Sequence, residues 1–306
     1  DTVKSEPRVT EAKNINAYLA DGPNIIISTR QHPLNSTLKP MYFGSMPRDN
    51  GHLSNISLEE AEQIRASDPI ASKYLRPLIG STELINATPR FCLWLEDAEP
   101  KDLSISPVLR AKIDAVREMR LSSNAVSTRA AAATSHLFVQ RAQPKTRYIA
   151  VPRVSSEARP YVPMAMFEPD VIASDALLTI PDADNYIFGL VMSSAFNVWN
   201  RAVSGRLKSD CRISQEITYN NFPIPEPTIS QRDAIAETAG QIIAARLEYP
   251  QASLSELYRA GSTPLGLHKA HQANDRAVLS LLGAKASSTE VDILKQLFTI
   301  YEKMTK

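Results

Sequence analysis

Apolar positions recur at two spacings along this chain, and most of the architecture can be read from where one gives way to the other. Ser57-Leu-Glu-Glu60 has the form of a capping box, and it predicts a helix that Asp68-Pro69 restarts through Leu75. Arg90 to Leu95 reads as a short buried strand. Ser106-Pro107 then opens a helix in which Leu109, Ile113 and Val116 share one face, turning Arg110, Arg117 and Arg120 to the others. From about Phe138 the helical period is replaced by short runs separated by proline, HLFVQ, RYIAVPRVSS, YVPMAMF and ALLTI, with turns at Glu168-Pro-Asp170 and Pro181-Asp-Ala-Asp184. Ile187 to Val203 carries a helical stripe of Phe188, Val191, Met192, Ala195, Val198, Trp199 and Ala202, with Gly205 suited to its C-terminal cap. Past Pro223, Pro225 and Pro227 the pattern is helical over Thr228 to Glu248, Leu265 to Leu282 and Ser288 to Met304. The first fifty residues hold a short helical signal at Thr10 to Ala20, a strand-like run at Asn24 to Ser28 and the turn-rich GSMPRDNGHLSN. The fold class is α+β: a β-containing domain followed by an all-helical one, with the boundary at the proline cluster.

Charge sharpens this picture only when it is resolved along the chain. The net charge is +1, yet between Leu103 and Pro160 there are ten basic residues against three acids, and eight of the ten are arginine. The remainder of the chain is therefore acidic on balance, and one face is expected to carry a positive field. Guanidinium forks suit phosphates and base edges better than solubility alone requires. Cys92 lies in an apolar run and Cys211 in a basic loop, and both are expected to be free buried thiols. With no apolar run of membrane length and no signal-peptide core, the chain is expected to be cytoplasmic. It begins at Asp1, which suggests a piece of a longer polypeptide.

Candidate chemistry is sparse. The ten glycines form no S-adenosylmethionine loop, and Asn220-Asn-Phe-Pro223 has the wrong order for the Asn-Pro-Pro-aromatic motif of an amino-methyltransferase. Pro169-Asp170 and Pro181-Asp182 lack the downstream Glu-x-Lys of a nuclease, and no GxSxG elbow marks a nucleophile. His268, His271 and Asp275 fall at i, i+3 and i+7 of a helix and could share a face as metal ligands. The fourth ligand is missing and the neighbours are apolar, which favours a packed helix with His271 and Asp275 bonded across one turn. No catalytic residue and no metal site is assigned. The run GRLKSDCRISQEITYNNFPIPEP, residues 205–227, is the most distinctive stretch. Arg206, Lys208 and Arg212 surround Asp210, Gly205 permits close backbone approach, and the Asn220 and Asn221 amides could read base edges.

That run, with SKYLRPLIGSTELI, PRFCLWLED, VREMRLSSNAVSTR and PRVSSEARPYVP in order before it, resembles the target-recognition region of MmeI-like type IIL restriction-modification enzymes. LHKAHQANDRAVLSLLG resembles the helical C-terminal domain of the same family. The resemblance implies a connector from a methyltransferase domain at residues 1–45, a target-recognition domain at 46–226 and a helical domain at 227–306. It also implies that double-stranded DNA is the partner, with S-adenosylmethionine and the adenine-methylating centre in a domain outside this chain. Arg117, Arg120, Arg129, Arg153 and Arg159 are then candidates for phosphate contact; Arg206, Lys208, Asp210, Arg212, Asn220 and Asn221 are candidates at the site itself. Two alternatives differ in class: a protein-interaction module of a phage-defence methyltransferase, and a metal-dependent hydrolase built on His268, His271 and Asp275.

Overall fold

The computed structural model describes residues 11–306. Among them are ten strands: β1 (Tyr42–Phe43), β2 (Leu75–Ile79), β3 (Phe91–Leu93), β4 (Tyr148–Pro152), β5 (Val154–Ser155), β6 (Ala165–Phe167), β7 (Ile172–Ala173), β8 (Leu177–Pro181), β9 (Gly205–Leu207) and β10 (Asp210–Arg212). They form three small sheets, ordered β1-β8-β4-β6, β3-β2-β7 and β5-β10-β9, with β2 and β7 the parallel pair. In the first sheet β4 lies between β8 and β6 and is buried along its whole length, so it reads as a continuous apolar run without alternation. The fold is α+β, with sheets in the N-terminal part and helices in the C-terminal part.

Several expectations are corrected. Residues 11–20 are not helical: the Asn16 side chain accepts from the Tyr18 and Ala20 amides, and Leu19 sits at φ 57°. Thr10 lies outside the described residues. Asn24 to Ser28 is not a strand, because side chains rather than a neighbouring strand take its backbone groups: Tyr18 Oη accepts from the Ile27 amide and Asn221 Nδ2 donates to the Ser28 carbonyl. The helix opened by Asp68-Pro69 stops at Ser72, and Leu75 begins β2. HLFVQ forms no strand beyond a bridge between Gln140 and Met46. The expected helix over Ile187 to Val203 is two helices, Asn185–Val191 and Ser194–Val203. Ser193 breaks them apart in extended conformation and caps the second, its Oγ accepting from the Phe196 amide. Gly205 is no cap; it opens β9.

The elements change type at the prolines, but the core does not stop there. One cluster of buried side chains runs from Ala20 through Ile149, Leu178, Phe188, Trp199 and Phe222 to Ile235, Leu267, Val278 and Phe298. Gly189 shows how close the contact is: a Cβ there would stand 2.7 Å from Ile235 Cγ2 and 2.8 Å from Asn274 Oδ1. A second core, with Leu53, Ile56, Ile64, Leu93, Leu109, Val116 and Phe138, supports the lobe that carries the Pro107–Leu121 helix.

Candidate nucleic-acid interface

The basic run folds as a hairpin. β9 and β10 pair with Leu207 opposite Asp210, Arg206 opposite Cys211 and Gly205 opposite Arg212, leaving Lys208-Ser209 as the turn, with Lys208 in the left-handed region at φ 57°. Alternation then separates the charges. Arg206 shares a face with buried Cys211 and is held there: Nη1 contacts Glu157 at 2.8 Å, the Ser209 carbonyl at 2.9 Å and Cys211 Sγ at 3.1 Å, while Nη2 donates to the Arg201 carbonyl. Its guanidinium, although still partly exposed, is thereby engaged in fixing the hairpin. Burial pushes the Cys211 thiol up, against the pull of Arg206, so it stays a neutral thiol. Leu207, Asp210 and Arg212 take the other face, and neither Asp210, Arg212 nor Lys208 has a side-chain partner among the described residues.

That outward face continues into a cleft of about 450 Å³ lined by Arg153, Val154, Leu207 and Arg212 together with Ser81 and Ala176. β5 brings Val154 beside Arg212 in register, and Arg153 is steered by its Nη1 bond to the Asp175 carbonyl and by the Phe43 ring beneath its guanidinium, 4.9 Å to the centroid. Arg153 and Arg212 are thus brought to one cleft from separate parts of the sequence, with Asp210 on the same hairpin face as Arg212 and Lys208 in its turn.

Three sequence candidates are structural. Arg120 is fully buried, and its five N–H donors all go to backbone carbonyls: Nε to Arg48, Nη1 to Ala131 and Thr134, Nη2 to Pro47 and Leu137, at 2.8–3.1 Å. It cannot reach a phosphate. Asn220 and Asn221 are buried as well, and they hold the segment before β1. Asn220 Nδ2 donates to the Arg30 carbonyl; Asn221 Nδ2 donates to the Ser28 and Glu216 carbonyls, and its Oδ1 accepts from Arg30 Nε and Tyr301 Oη. Asn221→Ala should therefore cost about 2–4 kcal/mol in urea unfolding, since four polar partners lose their match. A folded Asn221→Ala protein of unchanged stability but weakened DNA affinity would return this residue to the interface.

The remaining arginines divide. Arg117 is exposed without a side-chain partner, Arg129 is tied back by Nη1 to the Ser123 and Asn124 carbonyls, and Arg159 is half-buried beside the Asn197 side chain, which donates to its carbonyl. Elsewhere in the arginine-rich stretch, Lys112, Arg141 and Arg147 are paired with Glu60, Glu96 and Glu168.

A family profile described as the MmeI target recognition domain matches residues 21–226, and one described as the MmeI C-terminal domain matches residues 228–306. The chain belongs to the MmeI family. DNA methyltransferase A of Bacillus subtilis (strain 168) is 35% identical to it over 293 residues, which is 96% of this chain and 33% of that protein. The solved structure of the type IIL restriction-modification enzyme MmeI in complex with DNA matches it with a TM-score of 0.91 at 41% identity, over 98% of this chain and 40% of that one. The chain spans well under half the length of either relative.

In this MmeI-family chain the histidine helix is a joint between its two parts. His268 faces Gln272 at the surface, while His271 is buried, with Nε2 2.8 Å from Tyr258 Oη and its ring stacked on Tyr161 at 3.9 Å. Asp275 accepts from Tyr161 Oη and from the Ser194 amide, so it caps the Ser194–Val203 helix and does not bond His271. No group of three His, Cys, Asp or Glu among the described residues could hold a metal ion, which removes the observation behind the hydrolase alternative. Sequence reasoning passed over Leu207, Tyr42, Phe43, Gln140 and Gln215. The strand alternation of 205–212 was legible and would have singled out Leu207; the other four meet only through the fold.

Proposed function

We propose that this chain is the DNA-recognition module of a cytoplasmic restriction-modification methyltransferase that methylates adenine with S-adenosylmethionine, the catalytic centre lying in a part of the polypeptide that this chain does not span. Residues 46–226 would select the site, residues 227–306 would brace them through the shared core, and residues 1–45 would lead from the methyltransferase domain. The observation that carries this reading is the β9–β10 hairpin: Lys208, Asp210 and Arg212 stand on an exposed surface without protein partners, beside Arg153, in a chain that matches a DNA-bound relative over nearly its whole length. Charged groups kept free of partners are suited to phosphates and base edges. Arg117, on the Pro107–Leu121 helix, is proposed as a phosphate contact for the same reason. No helix among the described residues is long and apolar enough to cross a membrane.

The test is binding of the chain and its single variants to cognate and scrambled duplexes across a salt series, with the cognate site taken from the methylated positions of a host expressing the whole enzyme. Arg212→Ala and Lys208→Ala should each weaken binding by about 1–3 kcal/mol where a base is read. Where only phosphate is met, they should lower the slope of log affinity against log salt by about 0.9. Asp210→Ala should lose site preference while its affinity for scrambled DNA stays level or rises. Unchanged affinity, salt slope and preference in all three variants would mean that the hairpin is a charged turn only.

A further inference from the structure

Next to the hairpin lies a second concavity that phosphate binding leaves unexplained. It has a volume of about 400 Å³, within the range of small-molecule sites, and is lined by Tyr42, Phe43, Gln140, Gln143, Pro181 and Gln215, among others. Tyr42 and Phe43 form β1, the edge strand of the four-stranded sheet, and stay 49% and 42% exposed although the strand is anchored by fully buried Met41. Large rings left half in water on an edge strand have packing area still to gain. Two links tie the cleft to the hairpin: Gln215 follows Arg212 by three residues, and on the other face of the sheet the Phe43 ring lies under Arg153, which lines the Leu207–Arg212 cleft.

The polar groups of this cleft fall into two kinds. Gln143 is committed to the fold, its Nε2 donating to the Pro169 and Val171 carbonyls and its Oε1 accepting from the Ala173 amide, so one wall is rigid. The side-chain amides of Gln140 and Gln215 have no partner among the described residues. An aromatic ring, Tyr42, and two free carboxamides, each a donor and an acceptor together, are groups that grip a nucleobase removed from its stack. Phosphate would meet no cation inside this cleft, and an apolar peptide would leave both amides unpaired.

We infer that this cleft is a binding site for an unstacked nucleobase of the duplex, with the Tyr42 ring along its face and the Gln140 and Gln215 amides at its edge. The inference rests on the DNA-recognition reading and adds a second class of contact to it. It gives the module a way to hold a duplex open while another domain acts on a base.

The experiment measures affinity of the full chain for three duplexes of one sequence: perfectly paired, with a single unpaired adenine, and with an abasic residue at the same bulge. Wild type should favour the unpaired adenine over both others by on the order of tenfold. Tyr42→Leu, and Gln140→Ala combined with Gln215→Ala, should bring that ratio close to one with circular dichroism unchanged. Lys208→Ala should weaken all three duplexes and leave the ratio as it was. Equal affinity of wild type for the adenine and abasic bulges would overturn the inference, because flexibility alone would then explain any gain. Full preference in Tyr42→Leu and in the double glutamine variant would overturn it too. Failure to bind any of the three would remove the DNA-recognition reading and this site with it, an outcome distinct from binding without discrimination.

Discussion

Arg120→Leu should leave the lobe built on Leu53, Leu109 and Phe138 unable to fold stably, with a loss of at least about 4 kcal/mol in urea unfolding or no soluble protein at all. The side chain is the hub of three segments: the turn at Pro47 and Arg48, the Ala131–Thr134 turn and the Leu137 carbonyl beyond it, all drawn onto one guanidinium. Each carbonyl left unmatched in the interior costs about 1–3 kcal/mol, and leucine can match none of them. Burial pushes the Arg120 guanidinium down from its ordinary value while nearby Asp49 acts the other way. Arg120→Lys should also fail, since a single ammonium has three donors at one point where five directed ones are required. Arg117→Ala, one turn earlier and exposed, should change stability by no more than about 0.5 kcal/mol. Wild-type stability in Arg120→Leu would mean that the five bonds carry no weight.

Acid should loosen the joint between the two parts before general acid unfolding sets in. Burial, with the Arg246 charge adding to it, holds the His271 imidazole down to about 3, so the folded protein keeps the ring neutral while the unfolded chain protonates it near 6.5. The unfolded state therefore binds more protons between those two values. Stability contributed by neutral His271 is complete above about 6.5 and falls by about 1.4 kcal/mol for each pH unit below it. Asp275 works in the opposite sense: burial raises its carboxyl, so the folded state takes up a proton first and offsets part of the loss once the pH nears the carboxylate range. The cleanest window is pH 6.5 to 5, where wild type should lose about 2 kcal/mol in urea unfolding. His271→Gln and His271→Phe should be less stable at neutral pH, because the Tyr258 bond or the Tyr161 stack is altered, yet flatter across this window. An unaltered slope in both variants would place the acid sensitivity elsewhere.

Much of this protein was open to reading from the order of its residues. Capping signals survive the journey to tertiary structure because the partners are three residues apart: Ser57 caps through the Glu60 amide, Ser106 through the Leu109 amide and Thr228 through the Gln231 amide. Short continuous apolar runs such as RYIAVP and ALLTI became β4 and β8 because a strand buried on both faces needs only apolar side chains in sequence. The alternation of residues 205–212, once they are taken as a hairpin, likewise sends Arg206 and Cys211 to one side and Asp210 and Arg212 to the other. The weak helical signal failed over 11–20, where the Asn16 side chain takes the Tyr18 and Ala20 amides, and the run at 24–28 failed where the Tyr18 and Asn221 side chains supplied the backbone partners that a neighbouring strand would have provided. β2 went unread because Pro77 interrupts LRPLI, although the neighbouring residues still pair with β3 and β7.

What the sequence by itself determined is the α+β order of elements, the concentration of arginine between 103 and 160 and the family resemblance. Only the tertiary structure decided which charged and polar groups are free. Arg120 and Arg117 stand three residues apart on one helix, a spacing that separates them little, yet one is enclosed by carbonyls from three segments and the other stands in water. Asn220 and Asn221 look like base readers until the segment at 28–35 is laid across them. A side chain's availability depends on donors and acceptors far away in the chain, and satisfying buried polar groups takes precedence over exposure wherever backbone carbonyls converge.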